Sequence, residues 1–297
     1  MERKSLSAGV IGLGIMGGNF ARHLVAAGVG TVGYDPIQAQ MDALEAAGGE
    51  CRRSARAVAM ETDTLITSLP HPRAFEEALF GPEGILSAAR AGLLVIETST
   101  LPLEAKQKAR RRLAEAGIAM LDAPISGTGP QAQTKEITVF ASGDRAEFER
   151  ARDLLAHIAR SVRYVGPFGA GSKLKHIANL LVAVHILATA EALVLGEKAG
   201  FDPAELVDLL AASAATSRML QVRGPSMAAG TYAAPMMKVD VFQKDLNLIT
   251  EFALQLGAPV PLFSASVPYF AEAAAQGMGG YDTAAVISIL RQAAARK

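Results

Sequence analysis

Lys175 and Asn179 stand four residues apart in Gly169-Ala170-Gly171-Ser172-Lys173-Leu174-Lys175-His176-Ile177-Ala178-Asn179, at the mouth of a long apolar run. Residues four apart on a helix share a face, so the pair can meet one ligand. Lys173 falls on nearly the opposite face and reads as solvated charge. Desolvation at the edge of an apolar helix disfavours the charged form of an amine, and the pyrophosphate of a nearby dinucleotide favours it again. Such a lysine can exchange a proton with an alcohol while a hydride moves. Asn179 can hold the same hydroxyl and orient the amine. Taken alone, a lysine near a helix start is more often plain surface charge, so the rest of the chain must supply the context.

A dinucleotide is expected from Gly12-Leu13-Gly14-Ile15-Met16-Gly17, which follows a strand pattern and opens a helix pattern. Gly12 permits the tight turn, Gly14 lets the backbone approach the pyrophosphate, and Gly17 lets helix and strand pack closely. The phosphates would lie on the helix N-terminus, where free N–H groups and the dipole favour negative charge. Asp35 follows about 20 residues on, where a carboxylate binds the adenosine ribose and repels a 2′-phosphate. It can also cap the helix that starts at Pro36. No Arg or Lys follows Asp35 until Arg52, so NAD is expected in preference to NADP. In Asp122-Ala123-Pro124-Ile125-Ser126-Gly127-Thr128-Gly129, Ser126 and the N–H groups of Gly127 and Thr128 make a candidate cradle for a carboxylate. An ordinary turn suits the same residues.

These groups need elements to position them. Strands are expected over Gly9–Ile11, Thr31–Tyr34, Thr64–Ser68, Leu93–Ile96, Ala119–Leu121, Ile137–Ala141 and Val162–Val165, with helices over Met16–Ala27, Pro36–Ala47 and Leu103–Ala116. Strands separated by helices imply βαβ crossovers and a mainly parallel sheet. After the loop Gly166–Gly171 the pattern becomes helical: Ser172–Gly200, Pro203–Ala214, Val239–Leu256, Pro261–Gly277 and Thr283–Lys297. The expected fold is α/β, an N-terminal Rossmann-type doubly wound sheet over residues 1–165, followed by a C-terminal all-α domain over 166–297 for substrate binding and oligomerisation. The first of the later helices is apolar over most of its circumference and should be buried on all sides.

The bulk composition narrows the partners. Lys and Arg balance Asp and Glu, 29 against 29, which argues against a nucleic-acid surface. The basic run from Lys106 to Arg112 is flanked by Glu104 and Glu115 and reads as a solvated helix face. The single cysteine, Cys51, excludes an intrachain disulfide and fits a reducing, cytoplasmic setting. The start, Met1–Ser7, lacks the apolar core of a signal peptide. Leu180–Leu195 is interrupted by His185, Thr189 and Glu191 and falls short of the ~20 residues that cross a bilayer, so a core helix is expected and no membrane. His23, His71, His157, His176 and His185 show no ligand spacing, and no metal is expected.

Four segments in order give the chain a wider resemblance: Gly12 to Gly17, Asp122 to Gly127, Gly169 to Asn179, and Lys244-Asp245-Leu246. Together they resemble the β-hydroxyacid dehydrogenase family, the 3-hydroxyisobutyrate dehydrogenase-like enzymes, over nearly the whole length. The resemblance implies reversible hydride transfer between a small 3-hydroxy acid and its semialdehyde, with Lys175 as the acid/base. It implies that Asn179, Ser126 and Gly127 hold the substrate and that Lys244 closes over the cofactor. It also implies that the loops at Leu69-Pro70 and Ser99-Thr100 line the cofactor, with a 6-phosphogluconate dehydrogenase-like C-terminal domain and a homodimer or homotetramer. The chain departs from the family pattern at Thr128, usually Gly, at Lys135-Glu136-Ile137, at Ala178, usually Asn, and at Pro102, one position early. These departures bear on the substrate more than on the reaction. Two rivals share the scaffold: an imine reductase-like enzyme, whose relatives usually carry Asp or Tyr in place of the lysine, and a non-catalytic dinucleotide-binding module, whose relatives have lost it. Lys175, Asn179 and Lys244 together argue against both.

Overall fold

The structure is a computed structural model and describes residues 7–295. Residues 1–6 and 296–297, which hold most of the polar start and the end of the last expected helix, lie outside it. Six strands make one parallel sheet: β1 (Ser7–Ile11), β2 (Gly30–Tyr34), β3 (Glu50–Cys51), β4 (Thr64–Thr67), β5 (Leu94–Glu97) and β6 (Ala119–Asp122), in the order β3-β2-β1-β4-β5-β6. The crossovers are α1 (Ile15–Ala26), α2 (Gln38–Ala46), α3 (Ala55–Glu61), α4 (Pro72–Phe80) and α5 (Leu103–Glu115). Alternate side chains of a strand face opposite sides. Val10, Ile66 and Ile96 therefore enter one core with Phe20 and Leu24 of α1, while Ile11, Leu65 and Val95 enter another with Val58, Phe75 and Leu113. Cover on both faces explains why the inner strands read as continuous apolar runs.

The last two expected strands do not extend this sheet. A separate mixed sheet holds β7 (Ile125–Ser126), β8 (Thr138–Ala141) and β9 (Ser161–Tyr164), with β7 antiparallel to β8 and β8 parallel to β9. Between them lie α6 (Gly129–Gln133) and α7 (Arg145–Ile158). Asp144 caps α7 by accepting from the N–H groups of Ala146 and Glu147, and Phe148, Ala151, Leu155 and Ile158 form its buried face.

The chain divides into two compact units, Met1–Lys175 and His176–Lys297. The division by compactness falls inside α8 (Ala170–Lys198) and leaves Lys175 with the first unit. Among the described residues the second unit is helical: the rest of α8, then α9 (Pro203–Ala211), α10 (Arg218–Ala229), α11 (Val239–Leu256), α12 (Pro261–Ala273) and α13 (Ile287–Ala295). A π-helical segment, Ala274–Met278, and a 3-10 turn, Thr283–Val286, precede α13. Ala183, Ile186, Ala190 and Leu193 of α8 pack with Phe242, Leu246 and Ile249 of α11 and with Phe263 and Phe270 of α12. Phe242 and Phe270 meet edge to face, centroids 5.4 Å apart. Buried Arg223 pairs with Asp282 at 2.9 Å, and Asp282 also accepts the N–H groups of Met236 and Met237.

The expected burial of α8 is only partial within one chain. α8 is 29 residues long, with mean hydropathy 1.9 in its most apolar window, so it meets the length and composition of a membrane span; yet only 39% of that window is buried. Ile177 (53% exposed), Leu181 (50%) and Leu195 (73%) form an uncovered apolar stripe. Composition alone does not distinguish burial within one chain from burial against something else.

Candidate active site

The glycine turn sits where the sheet order reverses, between β1 and β4, the place where open α/β sheets bind ligands. Gly12 has φ +86°, and a Cβ there would lie 2.2 Å from the Ser68 carbonyl oxygen after β4. A Cβ on Gly17 would lie 1.8 Å from the Gly12 carbonyl oxygen. Both glycines are thus required by close approach within the protein. Gly14 differs: a Cβ there would meet no protein atom within 4 Å. It is the N-cap of α1, with no side-chain cap and no acid in the first turn. A backbone open in front and cationic in character is what a pyrophosphate needs. Ile15 is exposed and Met16 half-buried, while Leu13 is buried.

Asp35 is buried at the end of β2, and its carboxylate accepts the Leu13 N–H at 2.7 Å and the Ile37 N–H at 2.9 Å. It therefore ties the glycine turn to the second strand. Arg52 lies beside β2, donating its N–H to the Gly33 carbonyl, a proximity that sequence distance hides. Its guanidinium is held by Glu61 at 2.6 Å and Glu50 at 2.7 Å. After β4, the Leu69 N–H donates to the Ser99 hydroxyl at 2.7 Å, which joins the Leu69-Pro70 and Ser99-Thr100 loops. Pro70 is exposed, and Leu69 and Thr100 are half-buried.

The Ser126–Thr128 loop reaches the same end of this unit. A Cβ on Gly129 would lie 2.7 Å from Ile15 Cγ2, and a ring nitrogen of His23, Nε2, lies 2.7 Å from the Ala132 carbonyl oxygen. Ser126 is half-buried and Gly127 exposed at φ +145°. The expected cradle needs one correction. The Thr128 N–H donates to Gln131 Oε1 at 2.9 Å, and its hydroxyl bonds the same oxygen at 3.1 Å. Thr128 is committed to starting α6, which leaves Ser126 and Gly127 as the polar face of the loop.

Lys175 is buried, 9% exposed, on the second turn of α8. The turn before it is anchored by residues to which the sequence assigned no such role. Asp122 Oδ2 accepts the Ser172 N–H at 2.8 Å, and Oδ1 accepts the Ser172 hydroxyl at 2.7 Å. Ser142 accepts the Gly171 N–H at 3.0 Å. Lys106 Nζ donates to Asp122 Oδ1 at 2.9 Å and to the Ser99 carbonyl at 2.6 Å. Lys106 is fully buried on α5, beside Ala109 and Leu113, so its reading as solvated charge is wrong. Its spacing from those two residues, three and seven, was the available signal. Glu97, register partner of Asp122, is also fully buried. It accepts the Ser99 N–H at 2.7 Å and is hydrogen-bonded to the Thr67 hydroxyl. Burial pushes its carboxyl above the ordinary 4.5, against the pull of Lys106, whose Nζ lies 3.9 Å away.

In the second unit, Asn179 Nδ2 donates to Asp245 Oδ2 at 2.9 Å, both residues buried. Lys244, half-buried, lies 3.7 Å from Asp245 Oδ1. The His176 ring packs on Phe252 at 5.4 Å. Among the described residues no three His, Cys, Asp or Glu side chains converge as a metal site.

The domain family described as the NAD binding domain of 6-phosphogluconate dehydrogenase matches residues 7–166. The one described as NAD-binding of NADP-dependent 3-hydroxyisobutyrate dehydrogenase matches residues 169–290. An L-threonate dehydrogenase of Cupriavidus necator is 39% identical over 286 residues, 96% of each chain. The chain belongs to the β-hydroxyacid dehydrogenase family. Within it, the 2-hydroxy-3-oxopropionate reductase of Escherichia coli K12 is 34% identical over 98% of this chain and 99% of its own. A crystal structure of 3-hydroxyisobutyrate dehydrogenase from Salmonella typhimurium superimposes with a TM-score of 0.87 at 35% identity, covering 96% of this chain and 99% of that one. This β-hydroxyacid dehydrogenase is accordingly an NAD(P)-dependent oxidoreductase acting on the CH–OH group of a 3-hydroxy acid.

Proposed function

We propose that Lys175 is the proton-transfer group of this reaction and that its placement carries the reading: a buried amine in a fixed second turn, with Asn179 one turn further along the same helix. In oxidation, Lys175 Nζ accepts the hydroxyl proton of the substrate as the carbon-bound hydrogen leaves as hydride and the C=O bond forms. In reduction it returns that proton to the carbonyl oxygen. The nicotinamide ring, when bound, takes up or gives the hydride. Asn179, one amide N–H held by Asp245, donates its other N–H to the substrate oxygen. Ser126 and Gly127 receive the carboxylate, and the half-buried Lys244 contributes on the cofactor side. The dinucleotide lies on Gly12 to Gly17 and between the joined loops at Leu69-Pro70 and Thr100. Lys175 stands against the imine-reductase reading, and Lys175 with Asn179 and Lys244 against a purely non-catalytic module.

NAD is the favoured cofactor. Asp35 offers a fixed negative charge at the ribose end, and the nearest guanidinium, Arg52, already satisfies two carboxylates. The substrate is a short, polar 3-hydroxy acid or its semialdehyde, the class to which the names of the relatives belong. A panel of short hydroxy acids, scored by NADH absorbance, tests this; a preference for secondary amines over every hydroxy acid would favour the rival reading. The uncovered apolar stripe of α8 fits a homodimer or homotetramer rather than a bilayer, and a monodisperse monomer by light scattering would argue against that. The cytoplasmic setting rests on Cys51, whose thiol burial pushes up to about 11, a form poor at thiolate chemistry.

A further inference from the structure

We infer that Lys106, Asp122 and Ser172 are positioning residues that set where Lys175 sits; this rests on reading Lys175 as the proton-transfer group. Ser172 is three residues before Lys175 on α8, so the two share a side of the helix. Its N–H and its hydroxyl grip opposite oxygens of one carboxylate, at 2.8 and 2.7 Å. This fixes the rotation of the first turn as well as its height. The carboxylate also lies at the helix N-terminus, where the dipole favours an anion.

Asp122 is wholly buried and needs a counter-charge, because an unpaired buried carboxylate is strongly destabilising. Lys106 supplies it at 2.9 Å. The same ammonium holds the Ser99 carbonyl at 2.6 Å, in the loop that the Leu69 N–H joins through the Ser99 hydroxyl. One buried cation thus connects the loop proposed to line the dinucleotide to the turn that carries the lysine. Gly171 completes the seat: a Cβ there would lie 2.2 Å from the Phe140 carbonyl oxygen, so the helix start has no room to shift toward β8. A misplacement of about 1 Å in a reacting group costs on the order of 100-fold in rate, so a rigid mount for the amine has a direct kinetic use.

The test is Ser172→Ala against Ser172→Thr, each made in the wild-type chain and in Lys175→Ala, with Asp122→Asn as a second route into the same contact. The readouts are kcat, hydroxy-acid KM, dinucleotide Kd by calorimetry, and amide hydrogen exchange across residues 170–178. Ser172→Ala is expected to lower kcat about tenfold or more, to leave KM and Kd within about twofold, and to speed exchange in the first turn. Ser172→Thr is expected to restore most of the loss. In the Lys175→Ala background, Ser172→Ala is expected to change nothing further, since a mount acts only through what it holds. The inference is overturned if Ser172→Ala and Asp122→Asn both leave kcat within about twofold, or if either lowers it equally in both backgrounds. If Lys175→Ala alone keeps wild-type turnover, the failure lies in the proton-transfer reading, and the inference falls with it.

Discussion

Asn179 gives its amide nitrogen to Asp245 across a buried 2.9 Å contact, so a residue on α11 decides which way the Asn179 amide points. A hydrogen bond to a charged group contributes about 1.5–3 kcal/mol, and about 1.4 kcal/mol is tenfold in rate. Asp245→Ala should therefore lower kcat/KM for the hydroxy acid about 10- to 100-fold. Asp245→Asn, which keeps an acceptor oxygen, should lose less. Steady-state kinetics decide it, and an alanine variant with unchanged kcat/KM would remove Asp245 from the account.

Asp35 holds both ends of its turn, Leu13 N–H and Ile37 N–H. Asp35→Ala should weaken NAD binding and raise the NADP-to-NAD ratio of kcat/KM about tenfold or more. Paired titrations with the two dinucleotides check this, and an unchanged ratio would refute the cofactor argument.

The three glycines of the turn should separate into two kinds. Gly17→Ala places a Cβ 1.8 Å from a carbonyl oxygen, and overpacking of this sort costs about 1–3 kcal/mol or more; a lower Tm is expected. Gly14→Ala meets no protein atom, so Tm should hold while dinucleotide Kd rises about tenfold, because the methyl occupies the approach of the pyrophosphate. Differential scanning calorimetry with and without NAD reads both effects. Equal losses of Tm would show that Gly14 is structural.

Glu97 carries a pH signature. Burial raises its carboxyl above 4.5, so the folded protein holds a proton that the unfolded chain releases. By linkage, that contribution to stability is full below 4.5 and declines as pH rises toward the folded value. Glu97→Gln stays neutral and should flatten this part of the decline, gaining on the wild type as pH increases. Tm measured from pH 5 to 8 tests the sign; a variant that loses ground with rising pH contradicts it.

The sheet was legible because its inner strands are continuous apolar runs and its helices amphipathic. The close packing at Gly12 and the shared helix of Lys175 and Asn179 follow from local spacing. The partners that matter most for positioning do not. Lys106, Glu97 and Asp122 meet through strand register and one helix face, and a charge in a sequence is read as solvated until its partner is known. Thr128 lost its expected role to a local competitor, Gln131, three residues on. α10 is masked by Gly224 and Pro225, while α7 carries a plain cap and apolar face that the sequence reading passed over.

Turnover by Lys175→Ala decides whether this amine moves the proton. A fall in kcat of about 100-fold or more is expected, with dinucleotide Kd near the wild-type value. A variant that keeps more than about a tenth of wild-type kcat would show that another group moves the proton.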